Sequence, residues 1–223
     1  MILFAREGLG THFNPESRTV SHVPLGKGED FRLVSLDTGT DRPGLEKSTY
    51  RLRRAECEKL AAMLERDHGL RCLADVKERD LFDRITAEYR SDFPELCDRL
   101  SYIFFAQKRF DAMLEAWTAG NIRMVGHIFR EDGLGLRDVY KISGPELETM
   151  CDIARTVEGV FGERMLGGGD KGASGALAAP DCLEALENAV RTAYPRSYPL
   201  LADKYTIHVL KMVEGVRVFK NLL

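Results

Sequence analysis

The stretch Met-Leu-Gly-Gly-Gly-Asp-Lys-Gly-Ala-Ser-Gly, residues Met165–Gly175, places five glycines within eleven residues. Glycine loses more backbone entropy on folding than other residues and buries almost no apolar surface, so such a cluster indicates a constraint on the backbone. The run that follows is short, consists mostly of small residues and stops at Pro180. This pattern predicts a strand, a loop and a second strand rather than a strand followed by a helix.

Composition leaves two explanations of this loop open. In the first, its bare N–H groups approach an anion, and Lys171 and Ser174 add a charge and a hydroxyl where phosphate oxygens would lie. In the second, the glycines form a tight hairpin or a pair of bulges that binds nothing. Gly167, Gly169 and Gly172 satisfy G-x-G-x-x-G, but the helix that this dinucleotide motif requires is not predicted after them.

Composition also limits the class of protein. The 223 residues are 44% apolar, which is enough for a good core, and the net charge of −3 gives no footprint for nucleic acid or for an acidic membrane surface. Five cysteines lie far apart without a C-x-x-C pair, and five histidines have no metal-ligand spacing. No apolar run approaches membrane-spanning length. We expect a cytoplasmic protein with reduced cysteines and no metal site, which binds neither nucleic acid nor membrane.

A helix is predicted from about Leu45 to Asp67, because apolar residues recur there at the spacing of a buried stripe. The stripe consists of Cys57, Leu60, Ala61 and Leu64. Toward the N-terminus the same face carries Arg53 and Arg54, and then Tyr50. These residues either line a polar cleft where the helix leaves the core, or the arginines pair with neighbours such as Glu58.

Further helices are predicted on both sides of residue 120. A long helix ends at Gly120, the next is capped by Asn121 and closed by Asp132-Gly133, and a third starts at a capping box in Ser143–Glu146. One apolar side of the long helix is predicted to be buried; it consists of Ile103, Ala106, Phe110, Met113, Leu114 and Trp117.

Strands are predicted at Phe31–Leu36, at Val160–Met165, near Ala176 and at Tyr205–Leu210, with a helix from Asp181 between the last two. The order strand, helices, hairpin, helix, strand is typical of an α+β fold in which an antiparallel sheet has helices packed on one face. The glycine loop would join two strands at one end of this sheet.

Three segments resemble galactokinases, in the order in which that family has them. Val34–Leu60 is similar to the segment in which a DTG-type strand end leads to a Tyr-x-x-Arg-Arg-x-Glu-Cys helix. Leu136–Leu147 resembles LRDDYEVSCPELD, and Gly159–Gly172 resembles the motif RMTGGGFGG. The resemblance implies the superfamily of galactokinase, homoserine kinase, mevalonate kinase and phosphomevalonate kinase, known as GHMP kinases. It also implies the ferredoxin-like C-terminal domain of these kinases, with extra helices.

The resemblance further implies site residues. In such kinases the active site lies between two domains, and the glycine loop of the C-terminal domain faces the phosphates and the sugar. The phosphate and substrate loop would consist of Gly167, Gly168, Gly169, Asp170, Lys171 and Gly172. Tyr50 matches the tyrosine that contacts the hexose, and Arg53 and Arg54 would brace the helix end. Asp37 and Thr38 lie where the strand reaches the cleft, and the resemblance leaves their role open.

Parts of the family pattern are missing. The sequence has neither the Gly-Leu-Gly-Ser-Ser-Ala phosphate loop nor the Met-Asp-Gln context of the catalytic Asp, so we assign no catalytic residue within it. Because Met1–Gly8 resembles the residues just after that Asp, the Asp is expected upstream. We divide the chain into 1–40, the end of a missing N-terminal kinase domain or a hairpin, and 41–223, the C-terminal domain. ATP and Mg²⁺ would be bound mainly by an N-terminal kinase half, in cis or encoded separately.

The expected function is therefore that of a galactokinase-type sugar kinase that is incomplete in this chain. It would transfer phosphate from ATP to the anomeric hydroxyl of galactose or of a related hexose or uronic acid, and the chain would be inactive alone. Asp170-Lys171 replaces the usual Phe-Gly and Tyr102 replaces the usual His, which leaves the natural sugar open. The alternative is a non-catalytic sugar-binding or partner-binding remnant of a kinase.

Overall fold

A computed structural model describes residues 4–41 and 49–216. The chain is built around a four-stranded antiparallel sheet, and a separate hairpin precedes it. The sheet consists of β3 (Arg32–Asp37), β4 (Val160–Met165), β5 (Ala173–Ala178) and β6 (Thr206–Leu210), and the hairpin of β1 (Leu9–Asn14) and β2 (Thr19–Pro24). The strands of the sheet lie side by side in the order β4-β5-β3-β6.

Helices make up most of the remaining described residues. They are α1 (Thr49–His68), α2 (Arg79–Tyr89), α3 (Pro94–Ala119), α4 (Ile122–Asp138), α5 (Pro145–Arg155) and α6 (Leu183–Ser197). Within the ranges 4–41 and 49–216, no helix combines the length and the apolar character needed to cross a membrane. The predicted start of α1 at Leu45 lies outside the described residues.

The connectivity of the sheet is ferredoxin-like. α5 leads into β4, β5 follows by a hairpin, and α6 connects β5 to β6, so that the core of the fold reads βαββαβ with all neighbouring strands antiparallel. The predicted α+β fold with an antiparallel sheet is confirmed, and so is the predicted order of its strands.

The two faces of the sheet have different helical partners. Ala176 and Ala178 of β5 belong to a core that also contains residues of α5 and α6. Leu177, between them, packs with Val125 and Ile128 of α4. Because successive strand residues point to opposite faces, α4 is an additional helix that covers the second face.

α4 lies close to β4 because glycines face each other at the contact. A Cβ atom on Gly162 would overlap the carbonyl oxygen of Gly126, and a Cβ on Gly133 would lie 2.6 Å from the Cβ of Arg164. α4 continues through Gly133 to Asp138, so the predicted helix end at Asp132-Gly133 is wrong. Gly133 permits close packing here and does not terminate the helix.

α1, α2 and α3 form a second core beside the sheet. Leu60 and Leu64 of α1 are fully buried, as predicted, and pack with Phe82 of α2 and with Leu100 and Phe104 of α3. This cluster fixes the direction in which the N-terminal end of α1 points.

The predicted apolar side of α3 is only partly buried, and this prediction is wrong for Phe110, which is 44% exposed. The first half of α3 buries Leu100 and Phe104 against α1 and α2 instead. The ring of Phe110 lies 5.0 Å from the ring of His12 in β1, and the indole of Trp117 donates to the carbonyl of Val23 at 3.0 Å. This side of α3 therefore faces the hairpin.

The predicted caps have mixed outcomes. Gly120 ends α3 with a φ of 72°, and Asn121 caps α4 by accepting from a first-turn N–H at 3.1 Å, so both predictions are confirmed. The predicted capping box at the start of α5 is wrong. The Ser143 hydroxyl donates to Glu148, and the carboxylate of Glu146 turns to the glycine loop. Burial raises the pKa of Glu148, while the Ser143 hydroxyl opposes this shift.

β3 links the first forty residues to the rest of the fold. Its Leu36 lies opposite Ser174 of β5 on one side and opposite Ile207 of β6 on the other. The hairpin of β1 and β2 is the part of residues 1–40 that forms its own sheet. The division of the chain near residue 40 stays a prediction.

Candidate functional site

The glycine loop joins β4 to β5 at one end of the sheet, as predicted. The N–H of Leu166 donates to the carbonyl of Ala173 at 2.8 Å and closes the hairpin. Gly167, Gly169 and Gly172 have φ angles of 77°, 79° and 111°. Residues with a Cβ rarely adopt these angles, so three of the glycines are explained by the path of the backbone.

Three consecutive backbone N–H groups in the loop have no acceptor among the described residues. Among the residues that the structure describes, no hydrogen bond is donated by the N–H of Gly167, Gly168 or Gly169. Gly167 and Gly168 are exposed, and Gly169 is half-buried. Successive free N–H groups in a turn form a donor set that suits the oxygens of an anion or a transferring phosphoryl group.

Tyr50 lies beside this loop, in the first turn of α1. A Cβ built on Gly168 would lie 3.6 Å from Cδ2 of Tyr50, which is an ordinary van der Waals contact. Tyr50 is 46% exposed. The structure therefore brings Tyr50 and the centre of the glycine loop together on one accessible surface, although they are far apart in the sequence.

Both charged side chains of the loop have partners within the chain. Nζ of Lys171 lies 2.9 Å from Oε1 of Glu146 in the first turn of α5. Oδ2 of Asp170 accepts from the N–H of Thr49 at 3.4 Å. The contact of Lys171 with phosphate stays a prediction, but its charge is already opposed by that of Glu146.

The end of β3 anchors the other side of the loop. Thr38 is fully buried, and its N–H and its hydroxyl both donate to the carbonyl of Gly172, at 2.9 and 2.6 Å. The hydroxyl of Tyr194 in turn donates to the carbonyl of Thr38 at 2.9 Å. Asp37 accepts from the N–H of Gly39 at 2.8 Å and shapes the turn after the strand. Thr38 thus holds the loop, a role that the sequence left open.

The histidines, cysteines and acidic residues of the described ranges form no candidate metal centre. In the described part of the chain, no group of three or more His, Cys, Asp or Glu side chains could hold a metal ion. All five cysteines are free thiols, and Cys97, Cys151 and Cys182 are buried. Burial raises the pKa of Cys151 to about 12, so this thiol stays neutral at physiological pH.

Sequence comparison finds galactokinases among the relatives of this chain, although no protein-family model matches it. The chain is 33% identical over 181 residues to the galactokinase of Chloroflexus aurantiacus, which covers 80% of this chain and 45% of that protein. It is 25% identical over 189 residues to the galactokinase of Clostridium beijerinckii, which covers 85% and 47%. The chain thus spans about half the length of the curated relatives it matches.

Comparison with solved structures also finds a galactokinase. The galactokinase of Lactococcus lactis, complexed with galactose, superposes with a TM-score of 0.83 at 24% identity, over 95% of this chain and 53% of that one. The chain is a homologue of galactokinases. L. major mevalonate kinase in complex with R-mevalonate matches at a TM-score of 0.52 and 13% identity, over 93% and 50%. At this lower similarity, the galactokinase homologue and mevalonate kinase share the fold.

In this galactokinase homologue, the arginines of α1 brace the helix. Nε of Arg54 lies 2.7 Å from Oε1 of Glu58, a pairing that one of the two interpretations of the sequence proposed, and Nη1 of Arg53 lies 2.7 Å from Oε2 of Glu56. Glu56 also contacts Nε of Arg99 in α3, again at 2.7 Å. The side chain of Arg99 is 1% exposed, so Glu56 compensates a buried cation and ties α1 to α3.

Sequence reasoning missed three residues that support the site: Glu56, Arg99 and Glu146. Glu56 lies three residues after Arg53, which is a visible signal for a helical ion pair. In the sequence, Glu146 fits the pattern of a capping box. Its partner Lys171 is identified only in the folded structure. No local signal marks Arg99, because an arginine within a long helix is usually exposed.

Proposed function

We propose that the chain forms the sugar-contacting and glycine-loop wall of a galactokinase-like sugar 1-kinase. The reaction would transfer phosphate from ATP to the anomeric hydroxyl of galactose or of a related hexose or uronic acid. The observation that carries this proposal is the closeness of the Tyr50 ring to Gly168, beside three N–H groups that donate to no acceptor among the described residues. The galactokinase relatives, one of them solved with galactose, support the substrate class.

Each group of this wall has one task. The hydroxyl of Tyr50 binds the sugar and helps to orient its anomeric oxygen. The N–H groups of Gly167, Gly168 and Gly169 donate to oxygens on which negative charge increases during phosphoryl transfer, so their stabilisation is stronger in the transition state than in the ground state. Because Lys171 is paired with Glu146, the loop acts chiefly through these backbone dipoles.

ATP with Mg²⁺ would supply the phosphoryl group and spread its negative charge. The free N–H donors of the loop fit the oxygens of that group. We further propose that a partner half, in cis or encoded separately, provides the nucleotide site and the Asp that orients or deprotonates the sugar hydroxyl. The chain alone is then inactive. The use of ATP and the free thiols fit a cytoplasmic location.

Reconstitution tests this function. The chain is co-expressed with a polypeptide that carries the Gly-Leu-Gly-Ser-Ser-Ala segment, identified from the genomic DNA next to the Met1 codon, and ATP-dependent phosphorylation is measured over a panel of hexoses and uronic acids. Product phosphorylated at the anomeric position supports the proposal. Sugar binding in calorimetry without phosphorylation by any pairing supports the alternative, a sugar-binding remnant.

Removal of the Tyr50 hydroxyl tests the role of this residue. In the reconstituted kinase, Tyr50→Phe should raise the sugar KM by up to about tenfold, because one neutral hydrogen bond is lost. Tyr205→Phe is the matched control, because it removes a hydroxyl from a tyrosine whose ring packs against Tyr194 of α6. An unchanged KM for Tyr50→Phe would remove Tyr50 from the sugar site.

A further inference from the structure

Asp170 occupies a backbone conformation that glycine would adopt at lower cost. Its φ is 68°, and among the described residues only Arg18 and Lys141 are other non-glycine residues with positive φ. Gly169, directly before it, has a φ of 79°. A residue with a Cβ in this region is strained, although Asp tolerates it better than most. The loop therefore has Asp at a position where the backbone conformation favours glycine.

The carboxylate of Asp170 lies at the N-terminal end of α1. Its Oδ2 accepts from the N–H of Thr49, the first described residue of that helix, at 3.4 Å. Within the described part of α1, which starts at Thr49, the first turn contains no acidic residue. Free N–H groups and the helix dipole favour a negative charge at this end. Asp170 supplies this charge from a distant segment of the chain.

The backbone of Asp170 is held from the opposite side by the segment before α5. Its N–H donates to the carbonyl of Ile142 at 2.8 Å. A Cβ on Gly144 would overlap the carbonyl oxygen of Asp170, so the two backbones touch. The next residue is fixed as well, because Lys171 pairs with Glu146. Asp170 is thus anchored on the sheet side while its carboxylate reaches the helix that carries Tyr50.

We propose that Asp170 is a positioning residue that couples the glycine loop to Tyr50. By holding the first turn of α1 against the loop, its carboxylate sets the distance between the Tyr50 ring and the N–H donors of Gly167 and Gly168. This attachment of Asp170 to the first turn of α1 lies within the chain and does not depend on a bound sugar or a partner. Its effect on sugar binding rests on the proposed function.

Hydrogen–deuterium exchange of the full chain tests the link without any activity. In Asp170→Gly, the amide of Thr49, which loses its acceptor, and the amides of residues 53–56, whose hydrogen bonds close the first turns of α1, should exchange about 2- to 30-fold faster, the effect of losing one helix cap. The melting temperature should stay equal or rise, because glycine adopts this φ without strain. Asp170→Asn should exchange more slowly than Asp170→Gly, since its side-chain oxygen still accepts a hydrogen bond, Asn tolerates positive φ and only the charge is lost. Asp203→Asn, an exposed position, is the control.

Two results would overturn the inference: unchanged exchange at Thr49 and at residues 53–56 in Asp170→Gly, or faster exchange spread evenly over the sheet with a lower melting temperature. The second would show a general structural role. In the reconstituted kinase, Asp170→Gly should raise the sugar KM by about 2- to 30-fold with kcat nearly unchanged, and Asp170→Asn should restore it. If the wild-type pair phosphorylates no sugar, the proposed function fails, while the exchange result still decides the role of Asp170.

Discussion

Alanine substitutions of the three consecutive glycines should have three different effects on stability. Gly167 has a φ of 77° and no atom near its missing Cβ, Gly168 has an ordinary φ and an ordinary contact, and Gly169 has a φ of 79° and a Cβ position that overlaps the carbonyl oxygen of Ile142. Gly168→Ala therefore measures a substitution without strain, Gly167→Ala measures backbone strain alone, and Gly169→Ala measures backbone strain together with steric overlap.

The magnitudes follow from these contacts. Gly168→Ala should change the free energy of unfolding by less than about 0.5 kcal/mol. Gly167→Ala should lower it by about 1–2 kcal/mol, the cost of a left-handed conformation for an L-residue. Gly169→Ala should lower it by about 2–4 kcal/mol, because the overlap also displaces Ile142 and weakens its hydrogen bond with Asp170. Such a loss corresponds to a fall in melting temperature of about 4–16 °C for a chain of this length.

Urea and thermal unfolding, followed by circular dichroism, measure these values. Gly69→Ala is the strain-only control outside the loop, because Gly69 has a φ of 69° and nothing within 4 Å of its missing Cβ. Equal losses for Gly167→Ala and Gly169→Ala would refute the contact with Ile142. A large loss for Gly168→Ala would show that the centre of the loop is structural. In the reconstituted kinase, Gly168→Val should abolish turnover while the helical circular dichroism is kept.

Three further predictions concern buried and exposed titratable groups. Glu163→Gln should lower the free energy of unfolding by about 3 kcal/mol in urea denaturation, because the buried Glu163 contacts Arg130 and Arg155, each at 2.8 Å. Burial raises the pKa of Glu148 above its ordinary 4.5. Its favourable contribution to the free energy of unfolding is therefore complete below pH 4.5 and is lost as the pH rises through the pKa of the folded state. Glu148→Gln should flatten this part of a plot of the free energy of unfolding against pH. Cys72, which is exposed, should react with a thiol reagent at pH 8 well before the buried cysteines do.

Local signals in the sequence predicted those features whose causes are local. The left-handed Gly120, the cap Asn121 and the turn in the glycine loop follow from backbone preferences of the residue itself. The exposed Phe110 was not predictable in this way, because a long helix meets different partners along its length and one stripe cannot describe them all. The buried pair of Arg99 and Glu56 depends on α1 crossing α3, which periodicity does not reveal.

The candidate site could be predicted only in part for the same reason. The glycine loop was visible in the composition, but its neighbour Tyr50 was assigned by resemblance to galactokinases, since no spacing rule relates segments so far apart. The structure places the two together. The partners of Asp170 and Lys171 were not foreseen, because both partners come from helix ends that the fold brings to the loop.

Replacement of the usual Phe-Gly by Asp170-Lys171 adds one negative and one positive charge to the loop, so the local net charge does not change. Each of these charges also has a partner within the chain. Lys171 forms an ion pair with Glu146, and Asp170 accepts a hydrogen bond at the N-terminal end of α1. Among the described residues, the N–H groups of Gly167, Gly168 and Gly169 still donate to no acceptor. The substitution therefore alters how firmly the loop is attached to α1 and α5 more than the charge it offers a ligand. On the function proposed here, the choice of sugar would then depend on the distance between Tyr50 and the loop.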